Sequence, residues 1–348
     1  MRIFLLSCHA ILETDWLNIW TSLGHYVFSP GAYVEPNNQG DESLRPKPPL
    51  DPKWADRYRE DMEAFHRLGK PGIDNKELLT DEFCDRFDVV VLMHLPRWAH
   101  ANAKVLDKRP WVWATIGQSV AHNEAEMKQY WGSGNMRIVR YSPMERNIPG
   151  YIGESALIRF GKSPEIFKDW DGETASVVCV GQSLQRRGAP CNWKWLNEVS
   201  AGFPRTLYGP ESETCDWGKG KLPFDDMRAA LRKNRVAING GTWPASVVLS
   251  AIEQLMTGIP LVLVGPKLGQ PHGWFPGHDL YEGSLLVENG VNGWCSDDLG
   301  ATRDFIKQLL GNHELAKKIG AAGRQRAIEL FGIDKIAGQW DEFFKSLN

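Results

Sequence analysis

Residues 239–264, Asn-Gly-Gly-Thr-Trp-Pro-Ala-Ser-Val-Val-Leu-Ser-Ala-Ile-Glu-Gln-Leu-Met-Thr-Gly-Ile-Pro-Leu-Val-Leu-Val, combine the parts needed to hold a phosphate. Gly240 and Gly241 permit a turn that a Cβ resists, and Ser246, shortly after Pro244, is placed to cap a helix beginning there. Val247, Val248, Ala251, Ile252, Leu255 and Met256 recur at steps of three and four, and Gly258 followed by Pro260 ends the helix they predict. Residues 236–238 before it and 261–264 after it read as buried parallel strands. The free N–H groups at such a helix start lie at the positive end of the helix dipole and suit a phosphate or pyrophosphate. An ordinary strand-helix-strand unit with no ligand has the same pattern, so these residues alone leave both readings open.

An α/β framework positions this stretch. Residues 2–7 form a strand, 12–23 an amphipathic helix ending at Gly24, and 26–29 a second strand, which is an opening βαβ unit. Apolar runs at 87–93, 111–116 and 137–141 follow, separated by helix-length polar segments, a pattern that predicts a parallel sheet covered on both faces. Residues 30–52 are rich in Pro, Gly, Asn and charge and predict a long loop, the kind that binds something or moves, with a helix over 53–68 after it. A second start comes at Ala175, with a strand at 176–181, a helix at 192–201, a strand at 206–208 and a helix at 224–233. Helical segments at 299–310, 313–331 and 333–347 close the chain. The expected architecture is two Rossmann-like domains, 1–165 and 175–330, with a final helix over 331–348 free to cross back to the first.

Composition narrows the classes. The 348 residues, 42% of them hydrophobic, suffice for two cores. No apolar run is long enough to span a membrane, and the apolar stretch at residues 3–6 is too short for a secretory signal, so a cytoplasmic protein is the default expectation. The six cysteines include no C-x-x-C pair, which suggests free thiols rather than a disulfide framework or a zinc site. A net charge of −3 gives no global attraction to nucleic acid, and the ten Lys or Arg against six Asp or Glu over residues 86–159 are a mild local excess. Of the fifteen tryptophans, Trp16, Trp20 and Trp340 sit at helical spacings expected of a core. Trp98, Trp111, Trp113, Trp243 and Trp274 adjoin loops or strand ends, where a ring either packs or stacks on a sugar or base. Asp169 and Asp171 form an Asp-x-Asp pair, but they precede Gly172 in a linker and read as turn residues; Asp297 and Asp298 read as caps of the helix from Leu299.

Four stretches make the C-terminal half resemble the family-four retaining glycosyltransferases of the GT-B fold. They are Val180-Gly-Gln-Ser-Leu-Gln-Arg-Arg-Gly188, the 244–260 helix with Glu253, Glu288-Asn-Gly-Val-Asn-Gly-Trp294, and the 313–331 helix ending in Arg-Gln-Arg-Ala-Ile-Glu-Leu-Phe. The N-terminal half, with Ser-Cys-His-Ala, Leu-Gly-His-Tyr-Val-Phe-Ser-Pro-Gly and Ala-Thr-Ile-Gly-Gln-Ser, resembles a subgroup of glycosyltransferase-like proteins of phages and bacteria. The resemblance implies two Rossmann-like domains facing across a cleft and a nucleoside-diphosphate sugar, foremost a UDP-sugar, as co-substrate. It implies no prosthetic group and no metal requirement.

Carried onto this chain, the family's two pyrophosphate-binding cations fall after Gly181 on Gln182 and Arg187, with Arg186 beside the second. Of the family's two glutamates spaced by eight, the ribose-binding one falls on Glu253, and Ala245 stands where the one facing the donor sugar would be. The implied reaction is transfer with retention. The departing phosphate oxygen takes the acceptor proton while Arg187 and the helix start at Ala245, Ser246 and Val247 hold the diphosphate charge. If a protein base is used instead, His9, His94 and His122 are the candidates, all near expected strand ends, and Gln118 and Ser119 are placed to touch sugar or acceptor hydroxyls. The phage-like subgroup implies a hydroxymethylated pyrimidine in DNA as acceptor, met by the 30–52 loop and the 86–159 region. A glycan or small molecule is the alternative acceptor, and an epimerase or a non-catalytic nucleotide-sugar binder the alternative class.

Overall fold

The computed structural model describes residues 1–30, 45, 50–69, 79–269 and 280–347. Most of the expected 30–52 loop, and Trp274, lie outside the described residues. The chain divides into two compact units, Met1–Gly161 with Asp334–Asn348, and Lys162–Ile333.

Unit 1 runs β1 (Arg2–Leu6), α1 (Ala10–Ser22), β2 (Tyr26–Phe28), α2 (Ala55–Arg67), α3 (Asp81–Cys84), β3 (Val89–Met93), α4 (Pro96–Leu106), β4 (Trp111–Ala114), α5 (Ala121–Met127), β5 (Met136–Arg140) and β6 (Ala156–Leu157). Its parallel sheet has the order β2-β1-β3-β4-β5-β6. The unbroken apolar run Val-Val-Val-Leu-Met of β3 is buried throughout, as a strand covered on both faces requires. One face packs Phe4 against Phe28, Phe83 and Phe87, with the Phe4–Phe83 rings edge to face at 5.2 Å. Elsewhere in the unit, Trp16 and Trp20 of α1 close on Trp340 of the chain's last helix, Ile333–Lys345, at 5.5 and 4.9 Å. These three tryptophans are core. So are Trp98, Trp111 and Trp113, which are almost fully buried and have no face open for a sugar or base.

Unit 2 runs β7 (Thr174–Val180), α6 (Leu184–Arg187), α7 (Trp193–Ser200), β8 (Arg205–Tyr208), α8 (Phe224–Lys233), β9 (Asn234–Asn239), α9 (Leu249–Thr257), β10 (Leu261–Val264), α10 (Gly283–Leu286), β11 (Trp294–Ser296), α11 (Leu299–Gly311) and α12 (His313–Phe331). Its sheet, also parallel, has the order β11-β10-β9-β7-β8. From β7 the chain first builds outward to β8 and then returns to the other side at β9. In unit 1 it leaves β1 for β2 and returns to β3. Each sheet therefore has a topological switch point, β1/β3 in one and β7/β9 in the other, and open α/β sheets bind ligands beyond the strand ends at such points.

One boundary bears on function. The helix expected from Ser246 begins at Leu249, with Val248 as its extended N-cap at φ −95° and ψ 147°. The paired β-branched Val247 and Val248 favour extended backbone over a first helical turn. Ala245, Ser246 and Val247 consequently lie in the segment leading into the helix rather than at its dipole end. At the other end Gly258, at φ +89°, caps the helix in the left-handed conformation.

Candidate functional site

The site residues of unit 2 gather on two loops at the β7/β9 switch point. Beyond Val180 the chain turns through Gly181, whose carbonyl oxygen lies so close to Gly209 that a Cβ at position 209 would approach it to 1.9 Å. The Gly181 amide donates to the Tyr208 carbonyl at 3.0 Å and the Ser183 amide to the Pro210 carbonyl at 3.0 Å, which fixes the turn before α6. Gln182, Arg186 and Arg187 are exposed on it. Arg186 is engaged by Glu211 at 2.7 Å, so it is a solvent-facing ion pair rather than a free second cation. Arg187 has no carboxylate partner among the described residues.

The second loop lies alongside. Asn192 donates its side-chain amide to the Gly240 carbonyl at 2.8 Å, and the Trp243 amide donates to the Pro190 carbonyl at 2.7 Å, tying the Arg187 loop to residues 240–243. Asn239, buried at the end of β9, accepts the Gly241 amide at 2.9 Å and donates to Ser250 and Gln254 of α9 at 3.0 and 3.1 Å. Gly241, at φ +68°, takes a conformation that favours glycine. Beneath this loop is a cavity lined by Asn239, Gly241, Ala245, Ser246, Val247 and Tyr281, among others. The Ser246 hydroxyl is fully buried and has no hydrogen-bond partner, so it is not the helix cap expected of it. A buried hydroxyl without a partner costs stability unless a ligand or water meets it. Tyr281 turns its hydroxyl away, donating to the Val264 carbonyl at 3.0 Å.

Glu253 is not turned to solvent. Its carboxylate is nearly buried and accepts from the Lys162 ammonium at 2.7 Å, within the same unit. Nothing in the sequence around Lys162 marked it as this partner. Arg324, within the closing motif of α12, likewise proves to be structural. Its guanidinium donates to the carbonyls of Met256, Phe167 and Pro164, satisfying the C-terminal end of α9. Asp171 accepts the Glu173 amide at 3.0 Å in a turn, and its carbonyl meets His313. Asp298 caps α11 through the Ala301 amide, whereas Asp297 does not: it accepts the amides of Lys267 and Leu268. Among the described residues no group of three or more His, Cys, Asp or Glu is arranged to hold a metal ion.

In unit 1 two of the three histidines flank the β1/β3 switch point. His9 precedes α1, and its Nδ1 accepts the Leu12 amide at 3.4 Å. His94 follows β3 at φ +62°, held by its amide on the Ala114 carbonyl and its carbonyl on the Trp113 indole, both at 2.8 Å. Its Nδ1 is shielded and has no partner, and burial pulls its pKa down to about 4, so the ring is neutral at physiological pH. His122 lies on the solvent face of α5, 3.3 Å from Glu126. Ser119 is fully buried with its hydroxyl on Glu124 at 2.6 Å, and so cannot touch a substrate as expected; Gln118 stays partly exposed. Glu124 in turn forms a buried double contact with Arg140 at 2.6 and 2.8 Å.

No family model matches the sequence, and no curated protein matches it. Solved structures do. Sucrose-phosphate synthase from Thermosynechococcus elongatus matches with a TM-score of 0.67 at 13% identity, over 100% of this chain and 99% of that one. The HepE protein of Anabaena, in a structure with UDP-glucose, matches with a TM-score of 0.62 at 13% identity, over 99% and 100%. A glycosyltransferase from Rickettsia africae ESF-5 matches with a TM-score of 0.64 at 13% identity, over 99% and 98%. The fold is GT-B. At this identity the likeness extends to the architecture, and the chemistry has to be argued from the residues. No described helix is long and apolar enough to cross a membrane.

Proposed function

We propose that this protein is a glycosyltransferase that takes a sugar from a nucleoside-diphosphate sugar, a UDP-sugar foremost, and passes it to an acceptor hydroxyl with retention. The observation that carries this is the exposed Arg187 guanidinium, without a carboxylate partner among the described residues, on a loop that Asn192 and Trp243 tie to the glycine turn at 240–241 beside the β7/β9 switch point. A diphosphate supplies the opposite charge that Arg187 lacks among the described residues. The solved HepE structures with UDP and with UDP-glucose support the same donor class.

In the retaining reaction the bond from the anomeric carbon to the diphosphate oxygen breaks as the acceptor oxygen bonds to that carbon on the same face. The acceptor proton passes to the departing phosphate oxygen. Arg187 stabilises the charge that grows there. The motifs of the C-terminal half resemble those of the family-four enzymes. Gln182 provides a neutral contact where those enzymes have a cation, and Ala245 leaves recognition of the donor sugar to other groups. A net charge of −3 suits a glycan or small-molecule acceptor better than a hydroxymethylated pyrimidine in duplex DNA. A gel shift on hydroxymethylated duplex at low salt tests the DNA reading directly.

The decisive experiment is titration calorimetry with UDP, followed by measurement of UDP released from UDP-sugars in the presence of candidate acceptors. Wild type is expected to bind UDP, and Arg187→Ala to lose tenfold or more in affinity while keeping its melting temperature. Unchanged affinity and turnover in that variant would refute the phosphate assignment.

A further inference from the structure

Unlike Trp98, Trp111 and Trp113, which are core, Trp243 is partly exposed, on the loop that follows Asn239 in unit 2. The Ala245 amide donates to the Thr242 carbonyl at 2.7 Å, and the same two residues form an antiparallel bridge. Trp243 and Pro244 are therefore the middle residues of a tight turn. The turn is also anchored from outside, through the Trp243 amide on the Pro190 carbonyl at 2.7 Å.

This turn stands beside Arg187. Residues 189–192 follow α6 directly, and residues 240–243 are seated on them. The Asn192 side-chain amide donates to the Gly240 carbonyl at 2.8 Å, and a Cβ at Gly240 would lie 2.5 Å from the Cys191 carbonyl oxygen. The Cys191 thiol is 3.8 Å from the Thr242 hydroxyl and near enough to Arg187 to feel its charge. One side chain is thus within reach of both the guanidinium and the residue preceding Trp243. Another partly exposed indole of this region, Trp193, lies parallel to Trp217 with ring centroids 6.0 Å apart, so one of its faces is already covered. Two residues beyond Trp243, Ala245 contributes only a methyl group to the cavity wall.

We propose that the Trp243 indole is a stacking platform for the pyranose ring of the donor, and so a specificity-determining residue of the transfer. The assignment rests on the glycosyltransferase reading. If Arg187 holds the departing phosphate, the group bonded directly to that phosphate is the sugar, whereas the base lies beyond a whole ribose. A turn packed against the Arg187 loop is within reach of the nearer group. A pyranose presents a face of C–H groups, which an indole covers with a large, rigid apolar surface at little entropic cost. A ring of this kind reads the shape of that face, because a hydroxyl projecting axially from it holds the sugar off the indole. The platform thereby separates epimers without a carboxylate, which suits a wall where Ala245 supplies a methyl group.

The test is calorimetric titration with UDP, UDP-glucose, UDP-galactose and UDP-N-acetylglucosamine. Trp243→Ala is expected to weaken the sugar nucleotide that wild type prefers about tenfold, the scale of a lost stacking contact, and to leave UDP within about twofold. The preference between the glucose and galactose epimers should shrink with it. Trp243→Phe should keep most of the affinity, since a ring remains. Hydroxyl-radical footprinting of wild type asks the same question without a substitution: Trp243 should be oxidised in the free and UDP-bound protein and protected by the preferred sugar nucleotide. Equal losses for UDP and the sugar nucleotide in Trp243→Ala would put the ring on the nucleoside or in the loop and overturn the sugar assignment. Unchanged affinities, a Phe variant no better than Ala, or protection by UDP alone overturn it too. Wild type that binds UDP but fails these comparisons sinks this proposal only, whereas wild type that binds neither UDP nor any of the sugar nucleotides sinks the donor reading with it.

Discussion

Replacing Lys162 with methionine should destabilise unit 2 severely, and the structure gives the size. The Lys162 and Glu253 side chains are 2% and 5% exposed, so solvent screens their 2.7 Å contact very little. Methionine preserves the packing of the stem but leaves the Glu253 carboxylate buried without its cation, a change that costs about 3–5 kcal/mol. For a unit of this size each kcal/mol lowers the melting temperature by roughly 2–4 °C, so a fall on the order of 6–20 °C is expected. Urea denaturation followed by circular dichroism measures the free energy, and differential scanning calorimetry the temperature. The double variant Lys162→Met/Glu253→Leu removes both charges and should recover most of the loss, since an apolar pair in place of a buried ion pair is often neutral or better. That recovered protein also tests ligand binding. If Glu253 shares its carboxylate with the donor ribose, the stable double variant should bind UDP about tenfold or more weakly, and wild-type affinity would remove Glu253 from the donor site. A loss below about 1 kcal/mol in Lys162→Met would refute the electrostatic argument itself.

Two further perturbations follow from the geometry. The folded His94 pKa lies near 4 against 6.5 for the free side chain, so below pH 6.5 the unfolded chain takes up a proton that the folded chain refuses. Stability should therefore be insensitive to this group above pH 6.5 and fall by up to about 3 kcal/mol as the pH drops towards 4. In His94→Asn, a residue that tolerates the left-handed backbone, the acid slope over that window should flatten by this amount, and identical slopes in urea melts would show that His94 titrates normally. Gly209→Ala would force a Cβ to within 1.9 Å of the Gly181 carbonyl at a φ of +140°. It should displace the Gly181 turn and weaken UDP binding tenfold or more through Arg187, a residue it does not touch; unchanged affinity would separate that turn from the donor site.

The framework was legible because it is written in periodicity. The apolar runs of β1, β3, β7 and β10 lie between turn signals at strand length, and the three-and-four spacing of α9 marks a helix. What escaped was set by tertiary contact. Helix α9 starts at Leu249 because the β-branched Val248 stays extended as its N-cap, a local preference that outweighed the capping signal of Ser246. The two-residue β6 and three-residue β11 are too short for any pattern to register. Arg187 was named through motif position, and the structure leaves it exposed, without a carboxylate partner among the described residues. Arg186 was equally legible, yet Glu211 engages it from 25 residues away, a pairing no local pattern reports. The Lys162–Glu253 contact spans 91 residues, so it was not accessible before the chain was folded.

The histidines bear on how the proton moves. A general base works best with a pKa near the operating pH, and burial holds His94 near 4, where it accepts a proton poorly. His9 uses its Nδ1 to receive the Leu12 amide, which orients the ring for capping α1, and His122 faces solvent beside Glu126. His94 is sheltered but resists protonation, and His122 is open to solvent. A terminal phosphate, with a second pKa of about 6, matches neutral pH better than His94 does, and it is formed on the face from which the diphosphate departs. In the proposed retaining reaction, the burial that keeps His94 from accepting a proton leaves that task to the departing diphosphate.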